Sequence, residues 1–203
     1  MKSPEYVIGI DEVGRGPLAG PVYVGAVIVP HDFDWALAEG VRDSKKLSPK
    51  AREEWYGKLN GLRERGALNF ATASSPAEMI DERGIVPSIS RALQECLKNL
   101  AANPETCEIR LDGSLYAPEH FVNQKTIIHG DDIEPIISMA SIVAKVRRDS
   151  LMKELAVQFP EYGFDVHKGY GTRRHCAAIQ EFGLCKLHRE SFCGRLRIGS
   201  NAV

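Results

Sequence analysis

The run VYVGAVIV at Val22–Val29, rich in β-branched residues and bracketed by Pro21 and Pro30, constrains this chain more than any other stretch. Branched side chains are stiff at χ1 and suit a pleated surface, so a continuous apolar run between prolines reads as a buried strand. Tyr6–Ile10 is a second short apolar run, and Ala67–Ala73, Glu108–Leu111 and Lys125–Ile128 carry further strand signals. Helical periods fill the rest. Pro49–Leu59 follows Ser48, a natural N-cap, with Ala51, Trp55 and Leu59 recurring along one face. Pro76–Arg83 and Pro87–Leu100 read as helices, the second with Ile89, Leu93, Cys96, Leu97 and Leu100 aligned. The longest helix expected is Pro135–Phe159. Its proline suits a first turn, and Ile136, Met139, Ile142, Val143, Val146 and Met152 form a stripe. Small Ser138, Ala140, Ser141 and Ala144 let its first half approach a sheet closely. A last helix spans about Thr172–Phe182 and stops at Gly183. Strands come first and are then interleaved with helices, which argues for an α/β fold, a mixed β-sheet flanked by helices. At 203 residues the chain has the length of one domain, or at most two small ones.

With 43% hydrophobic and 26% charged residues, the disordered and fibrous classes are excluded. The longest stretch without Asp, Glu, Lys or Arg, Gly16–His31, is interrupted by Pro17, Gly20, Pro21, Gly25 and Pro30, and is too short and broken to span a bilayer. The N-terminal MKSPEYVIGIDE lacks the apolar core of an export signal, so a cytoplasmic protein without membrane contact is expected. Five cysteines (Cys96, Cys107, Cys176, Cys185 and Cys193), without a C-x-x-C pair, fit reduced thiols. His175, Cys176, Cys185, His188 and Cys193 have the spacing of no common zinc site and read as scattered core and surface residues.

Charge is unevenly spread. From Lys145 onward the balance is +5, which leaves -6 for the residues before it. Segregation of this kind suits a chain in which one part grips a polyanion and another carries acidic cation ligands. Solvated helix faces that differ by chance explain the count equally well. Aromatic residues, at 7%, are too sparse for a broad single-strand stacking platform.

Three of the expected strands end in acids. Ile10 leads into Asp11 and Glu12, Leu111 into Asp112, and Ile128 into His129-Gly130-Asp131-Asp132. Ligand sites in open α/β sheets gather at strand ends, so these carboxylates can share one site. Carboxylates that crowd together raise one another's pKa unless a cation neutralises them, and hard oxygen donors suit Mg²⁺ or Mn²⁺. Any one of these acids alone reads equally well as a turn residue. Asp11 and Glu12 are adjacent, and neighbours on a regular strand face opposite ways. Both face one site only if the strand breaks there, which Gly14-Arg15-Gly16-Pro17 makes plausible. Two bridged ions would support in-line attack on a phosphodiester, which is nuclease chemistry. Other motifs fail: GRGPLAG at Gly14–Gly20 is one residue too long for a dinucleotide fingerprint and no GK[ST] follows it. No G-x-S-x-G or H-E-x-x-H occurs.

The ordered set Asp11-Glu12-Val13-Gly14-Arg15-Gly16, Asp43-Ser44-Lys45-Lys46-Leu47, Leu111-Asp112-Gly113, Gly130-Asp131, Ser141-Ile142-Val143-Ala144-Lys145 with Arg148-Asp149, and Gly169-Tyr170-Gly171-Thr172 resembles that of ribonuclease HII, the type 2 ribonuclease H family. A typical His-Arg-Glu-Ser-Phe stretch follows at His188–Phe192. The chain starts almost at the first motif, which leaves no room for the extra N-terminal domain of ribonuclease HIII.

The resemblance implies a ribonuclease H-like domain over residues 1–203 whose helical C-terminal segment, from about residue 160, grips substrate. It also implies endonucleolytic cleavage of the RNA strand of RNA/DNA hybrids and at single ribonucleotides in duplex DNA, leaving a 3'-hydroxyl and a 5'-phosphate, with Mg²⁺ or Mn²⁺ as cofactor and no obligate protein partner for a monomer. By the same resemblance, Asp11, Glu12, Asp112 and Asp131 carry over as metal-binding catalytic acids. Gly14, Arg15 and Gly16 would read the 2'-hydroxyl, Tyr170 would stack on the sugar after the cut, and Lys45 and Lys46 would touch phosphates. Val13 and Met139 stand where the family usually has alanine, and are taken as packing changes. The doubled Asp131-Asp132 leaves the fourth ligand ambiguous; Asp131 is chosen because it follows Gly130 and keeps the family's distance to Ser138. Asp149 is expected to make a structural ion pair or hydrogen bond, and Tyr170 apart from the family match reads as a half-buried core residue. The rival readings are a non-catalytic hybrid-binding module and a small-molecule phosphotransferase using GRGPLAG.

Overall fold

A computed structural model describes residues 3–41, 44–194 and 196. Asp43 of the Asp43–Leu47 motif, and Arg195 and Arg197 of the basic C-terminal stretch, lie outside the described residues. A five-stranded sheet in the order β3-β2-β1-β4-β5 forms the frame. Its strands are β1 (Tyr6–Val13), β2 (Val22–Pro30), β3 (Asn69–Ser75), β4 (Cys107–Asp112) and β5 (Gln124–Ile127). The β1–β2 and β2–β3 pairs are antiparallel, whereas β4 joins β1 in parallel and β5 joins β4 in parallel. The sheet is therefore mixed. With a strand on either side of it, β2 buries Val22, Val24, Val27 and Val29 completely, as its composition demands.

Helices cover both faces: α1 (Pro49–Glu64), α2 (Ala77–Arg83), α3 (Ile85–Asn99), α4 (Gly130–Ile133), α5 (Pro135–Gln158), α6 (Phe164–His167) and α7 (Arg173–Phe182). Ser48 caps α1 by accepting from the Ala51 amide at 3.1 Å. Alternation along β1 assigns its side chains to two layers. Ile8 and Ile10 pack with Ile89, Leu93, Cys96 and Leu97 of α3, and Val7 packs with Ile136, Met139 and Val143 of α5. Met139 is fully buried in that second layer, where its length fills core volume.

The helix α5 lies directly on strand backbone. A Cβ on Gly9 would stand 2.5 Å from the Ile136 carbonyl carbon, and one on Gly25 would strike the Ala140 carbonyl oxygen. The small residues of α5 complete this approach. Its far half, with Met152 and Ala156, packs in a third cluster with Ala19, Tyr162, Phe164, Ile179 and Cys193, so the C-terminal segment docks on the end of α5 and on the loop after β1.

The long elements agree with the periods in the sequence to within a few residues. The short helices α4 and α6 and the 3₁₀ turns at Trp35–Ala38, Pro160–Tyr162 and Glu190–Phe192 were not expected, since one turn carries too few residues to display a period. One expectation is corrected. The first strand does not break at Asp11-Glu12: β1 runs on to Val13 because pairing with β2 continues to Val13↔Tyr23, after the last β1–β4 pair at Ile10↔Leu111.

Candidate active site

Continuation of β1 past β4 decides where its two acids go. Asp11 follows Val7 and Gly9 on the α5 side and is 3% exposed; Glu12 follows Ile8 and Ile10 on the α3 side and is half-buried. They flank the protruding strand end, one on each face, and the Asp112 charge acts on both, so the two acids come near Asp112 without any break in the strand. The Asp11 carboxylate accepts from the Glu12 amide at 2.8 Å and from the Ser141 hydroxyl of α5. Ser141 in turn shares a 2.7 Å hydroxyl contact with Ser44. Glu12 faces the Arg15 guanidinium at 3.3 Å.

Asp112 is the last residue of β4. After β5 the chain turns through His129, at φ 55°, directly into α4, which places the Asp131 amide on Asp112 Oδ1 at 3.2 Å. The Ser138 hydroxyl donates to the Asp131 carbonyl at 2.7 Å, tying α4 to the start of α5. The two acids of the doubled pair differ in burial. Asp131 is 5% exposed and accepts from Lys45 Nζ at 2.8 Å, while Asp132 points outward to Lys46. Both lysines thus lie against the acids of α4, with long exposed stems that can swing to a phosphate.

The proton affinities register this crowding. Asp11 is held well above the ordinary carboxylate range, first by burial; the Ser141 hydrogen bond opposes the rise, and the charges of Glu12, Asp112 and Asp131 add to it. Burial also raises Glu12, against the pull of Arg15 and with the push of Asp112. Such a set of hard oxygen donors fits a small dication. Among the described residues no three His, Cys, Asp or Glu side chains form a ready-made ion cage. A concavity of about 660 Å³ lies at the other end of the strands, beside Tyr6 and Cys107, away from these carboxylates.

The loop Gly14–Gly20 leads into β2, not into a helix, and so lacks the helix N-terminus that a phosphate loop would use. Gly14 adopts φ +86°, and its α-carbon rests against the Arg148 side chain. Arg15 and Gly16 are exposed. Tyr170 is 41% exposed, with the Arg148 guanidinium 5.8 Å from its ring centroid, so it is no core tyrosine. Asp149 pairs with Lys145 at 2.8 Å rather than with its neighbour Arg148.

Several contributors went unrecognised in the sequence. Ser44, Ser138 and Ser141 hold the acids or their supports; in the sequence Ser44 and Ser141 stood only as members of the quoted motifs, and Ser138 and Ser141 as small residues of the long helix. Arg148 and Arg189 were counted with the polyanion-gripping charge, yet both are fully buried. His167, His175 and His188 form a buried cluster in which His175 Nε2 and His188 Nε2 lie 3.1 Å apart; in the sequence His175 had appeared only as an unmatched zinc candidate, and His188 as that and as the start of the His188–Phe192 stretch.

Comparison with known proteins places this geometry among relatives. The ribonuclease HII family model matches residues 8–195. Ribonuclease HII of Bacillus anthracis is 43% identical over 192 residues, which cover 94% of this chain and 70% of that protein. The ribonuclease H2 structure from Pyrococcus horikoshii OT3 is similar with a TM-score of 0.72 at 25% identity, covering 95% of this chain and 99% of that one. RNase HII from Archaeoglobus fulgidus, solved in complex with PCNA, gives 0.74 at 25% identity, with 97% and 98% covered.

Proposed function

Because the chain belongs to the ribonuclease HII family, and is accordingly a divalent-metal-dependent endoribonuclease acting on RNA/DNA hybrids, we propose that Asp11, Glu12, Asp112 and Asp131 are the acids that bind its metal ions and carry its catalysis. The observation behind this reading is the mutual influence of these carboxylates around the ends of β1 and β4, with Asp11 buried among them. Asp131 rather than Asp132 is taken as the fourth ligand because it is buried beside Asp112 while Asp132 faces outward. Mg²⁺ and Mn²⁺ are the ions of choice for an all-oxygen, partly open site. The chemistry that a bound pair supplies is activation of a water and stabilisation of the leaving oxygen of the scissile phosphate.

The remaining residues bind and orient. In this reading Gly14, Arg15 and Gly16 present backbone to the 2'-hydroxyl, the group that distinguishes a ribonucleotide at the cut. Tyr170 offers a flat face to the sugar that follows, and Lys45 and Lys46 leave α4 for the phosphates. Cleavage then occurs in hybrids and at single ribonucleotides in duplex DNA, giving a 3'-hydroxyl and a 5'-phosphate. The residues from about 160 onward, docked on α5 within a single domain, add basic groups such as Arg173 and Arg174 to the duplex-facing surface. Among the described residues no helix is long and apolar enough to cross a membrane. We take the protein to act as a cytoplasmic monomer without an obligate protein partner.

Incubating the purified chain with a DNA duplex that carries one ribonucleotide tests this. Nicking with Mg²⁺ or Mn²⁺ and none in chelator is expected; metal-independent binding with no cleavage under either condition would favour a binding module instead.

A further inference from the structure

Arg189 has no part in the reaction described so far, yet its guanidinium reaches the loop assigned to ribose recognition. Arg189 is fully buried. Its Nη2 donates to the Gly14 carbonyl at 2.6 Å, its Nη1 to the Arg15 carbonyl at 2.9 Å and its Nε to the Gly20 carbonyl at 3.0 Å. One planar fork therefore grips both ends of a tight loop.

The geometry of the peptide bond gives this grip a consequence on the other side. In a trans peptide the C=O and N–H of one unit point in opposite directions, and no cis bond occurs among the described residues. Fixing the Gly14 carbonyl inward turns the Arg15 amide outward, and fixing the Arg15 carbonyl turns the Gly16 amide outward. Neither amide donates to a protein acceptor among the described residues, and both residues are exposed. Two adjacent outward N–H groups form a donor pair suited to a hydroxyl oxygen.

Among the described residues no carboxylate is in hydrogen-bond contact with Arg189. Burial draws its pKa down to about 10, with the Arg148 charge adding to the fall and Tyr170 and Asp81 opposing it, so it stays protonated at neutral pH. Arg148 is likewise buried, donates to the Pro21 and Ala19 carbonyls and, among the described residues, leaves Nη1 without a partner. Two like charges desolvated side by side are a poor way to stabilise a core, where apolar side chains of similar volume pack at least as well. Asp81 at the surface accepts from the amides of Glu190 and Ser191 at 2.7 and 3.0 Å, which anchors the segment against α2 and sets the depth of Arg189.

We propose that Arg189 is a positioning residue for ribonucleotide recognition, orienting the Arg15 and Gly16 amides toward the 2'-hydroxyl through the carbonyls it holds. The proposal rests on the reading that Gly14–Gly16 recognise that hydroxyl. Arg189 itself does not touch substrate.

The test compares the affinities, in chelator, for a duplex with one ribonucleotide and for the same duplex in all-deoxy form. Wild type should prefer the first. Arg189→Met should lose about tenfold of that preference, the worth of roughly one well-placed hydrogen bond, while all-deoxy affinity stays within about twofold because the exposed basic surface is intact. Arg189→Lys keeps the charge but not the fork. It should fold where the Met variant does not, and should lose at least about threefold of the preference. Folded variants that discriminate as wild type does, or that lose affinity for both duplexes equally, would overturn the positioning role. Equal binding of both duplexes by the wild-type protein would instead overturn the assignment of the loop, and the role of Arg189 with it.

Discussion

At the scale of single residues, Tyr170 carries the most specific expectation. Its ring is exposed above a buried guanidinium, and its backbone carbonyl lies 3.0 Å from His175 Nδ1, so both its ring and its main chain are held. A pre-positioned ring matters most where a lone ribonucleotide is flanked by deoxyribose and few other contacts set register. Tyr170→Ala should lower kcat/KM at single ribonucleotides by about tenfold or more, with only a few-fold loss on continuous hybrid; one stacking contact is worth about 1–3 kcal/mol. Equal losses on the two substrates would remove the stacking role. The carboxylates were legible as residues because acids cluster at strand ends, whereas their supports were not. Ser141 looks like any small residue that lets a helix approach, and Arg148 and Arg189 look like surface charge, since an arginine in a sequence does not declare whether backbone carbonyls wait for it in the core.

At the scale of elements, the contact between α5 and the sheet sets the site, because α5 carries Ser141 toward Asp11 and Arg148 toward Gly14. Gly9→Ala should therefore cost both stability and activity. The added methyl would meet backbone rather than a movable side chain, and overpacking of this kind costs about 1–3 kcal/mol or more. A urea titration beside a cleavage assay would check it, and an unaltered midpoint would mean that α5 is not seated as described. Five strands and the long helices were readable because their periods extend over many residues. The course of β1 was not. The sequence around Gly14 suggested an early break, but strand length is set by the partner: β2 keeps pairing to Tyr23, and so Asp11 and Glu12 occupy opposite faces.

At the scale of the molecule, the C-terminal segment is joined to the catalytic loop through the cluster of His167, His175 and His188. His167 Nδ1 accepts the Gly169 amide at 3.2 Å, and the Gly169 carbonyl accepts the Leu18 amide at 2.8 Å, so these imidazoles lie under the junction of two substrate-facing loops. Burial lowers the pKa of all three, His175 to about 4. An unfolded chain takes up protons on its histidines below about pH 6.5, while the folded one resists until its lower values are reached. The histidines' share of stability should therefore be level above about pH 6.5 and fall as pH drops from there toward about 4, while the raised pKa values of Asp11 and Glu12 act in the opposite sense. Denaturant midpoints across that range, compared between the wild type and His175→Asn, would show this, and profiles of the same slope would place the imidazoles in contact with solvent. Nothing in the residue order foretold this assembly, which joins positions on separate elements through packing and hydrogen bonds between their side chains. The account as a whole stands on one group of acids, and its most direct test is turnover by Asp11→Asn, Asp112→Asn, Asp131→Asn and Asp132→Asn on a single-ribonucleotide duplex in Mg²⁺ or Mn²⁺, with duplex binding followed in parallel. The first three should each lose at least about a hundredfold in rate with binding retained, and Asp132→Asn should stay within a few-fold of wild type. Wild-type turnover by Asp11→Asn or Asp131→Asn, or a loss in Asp132→Asn as deep as theirs, would contradict it.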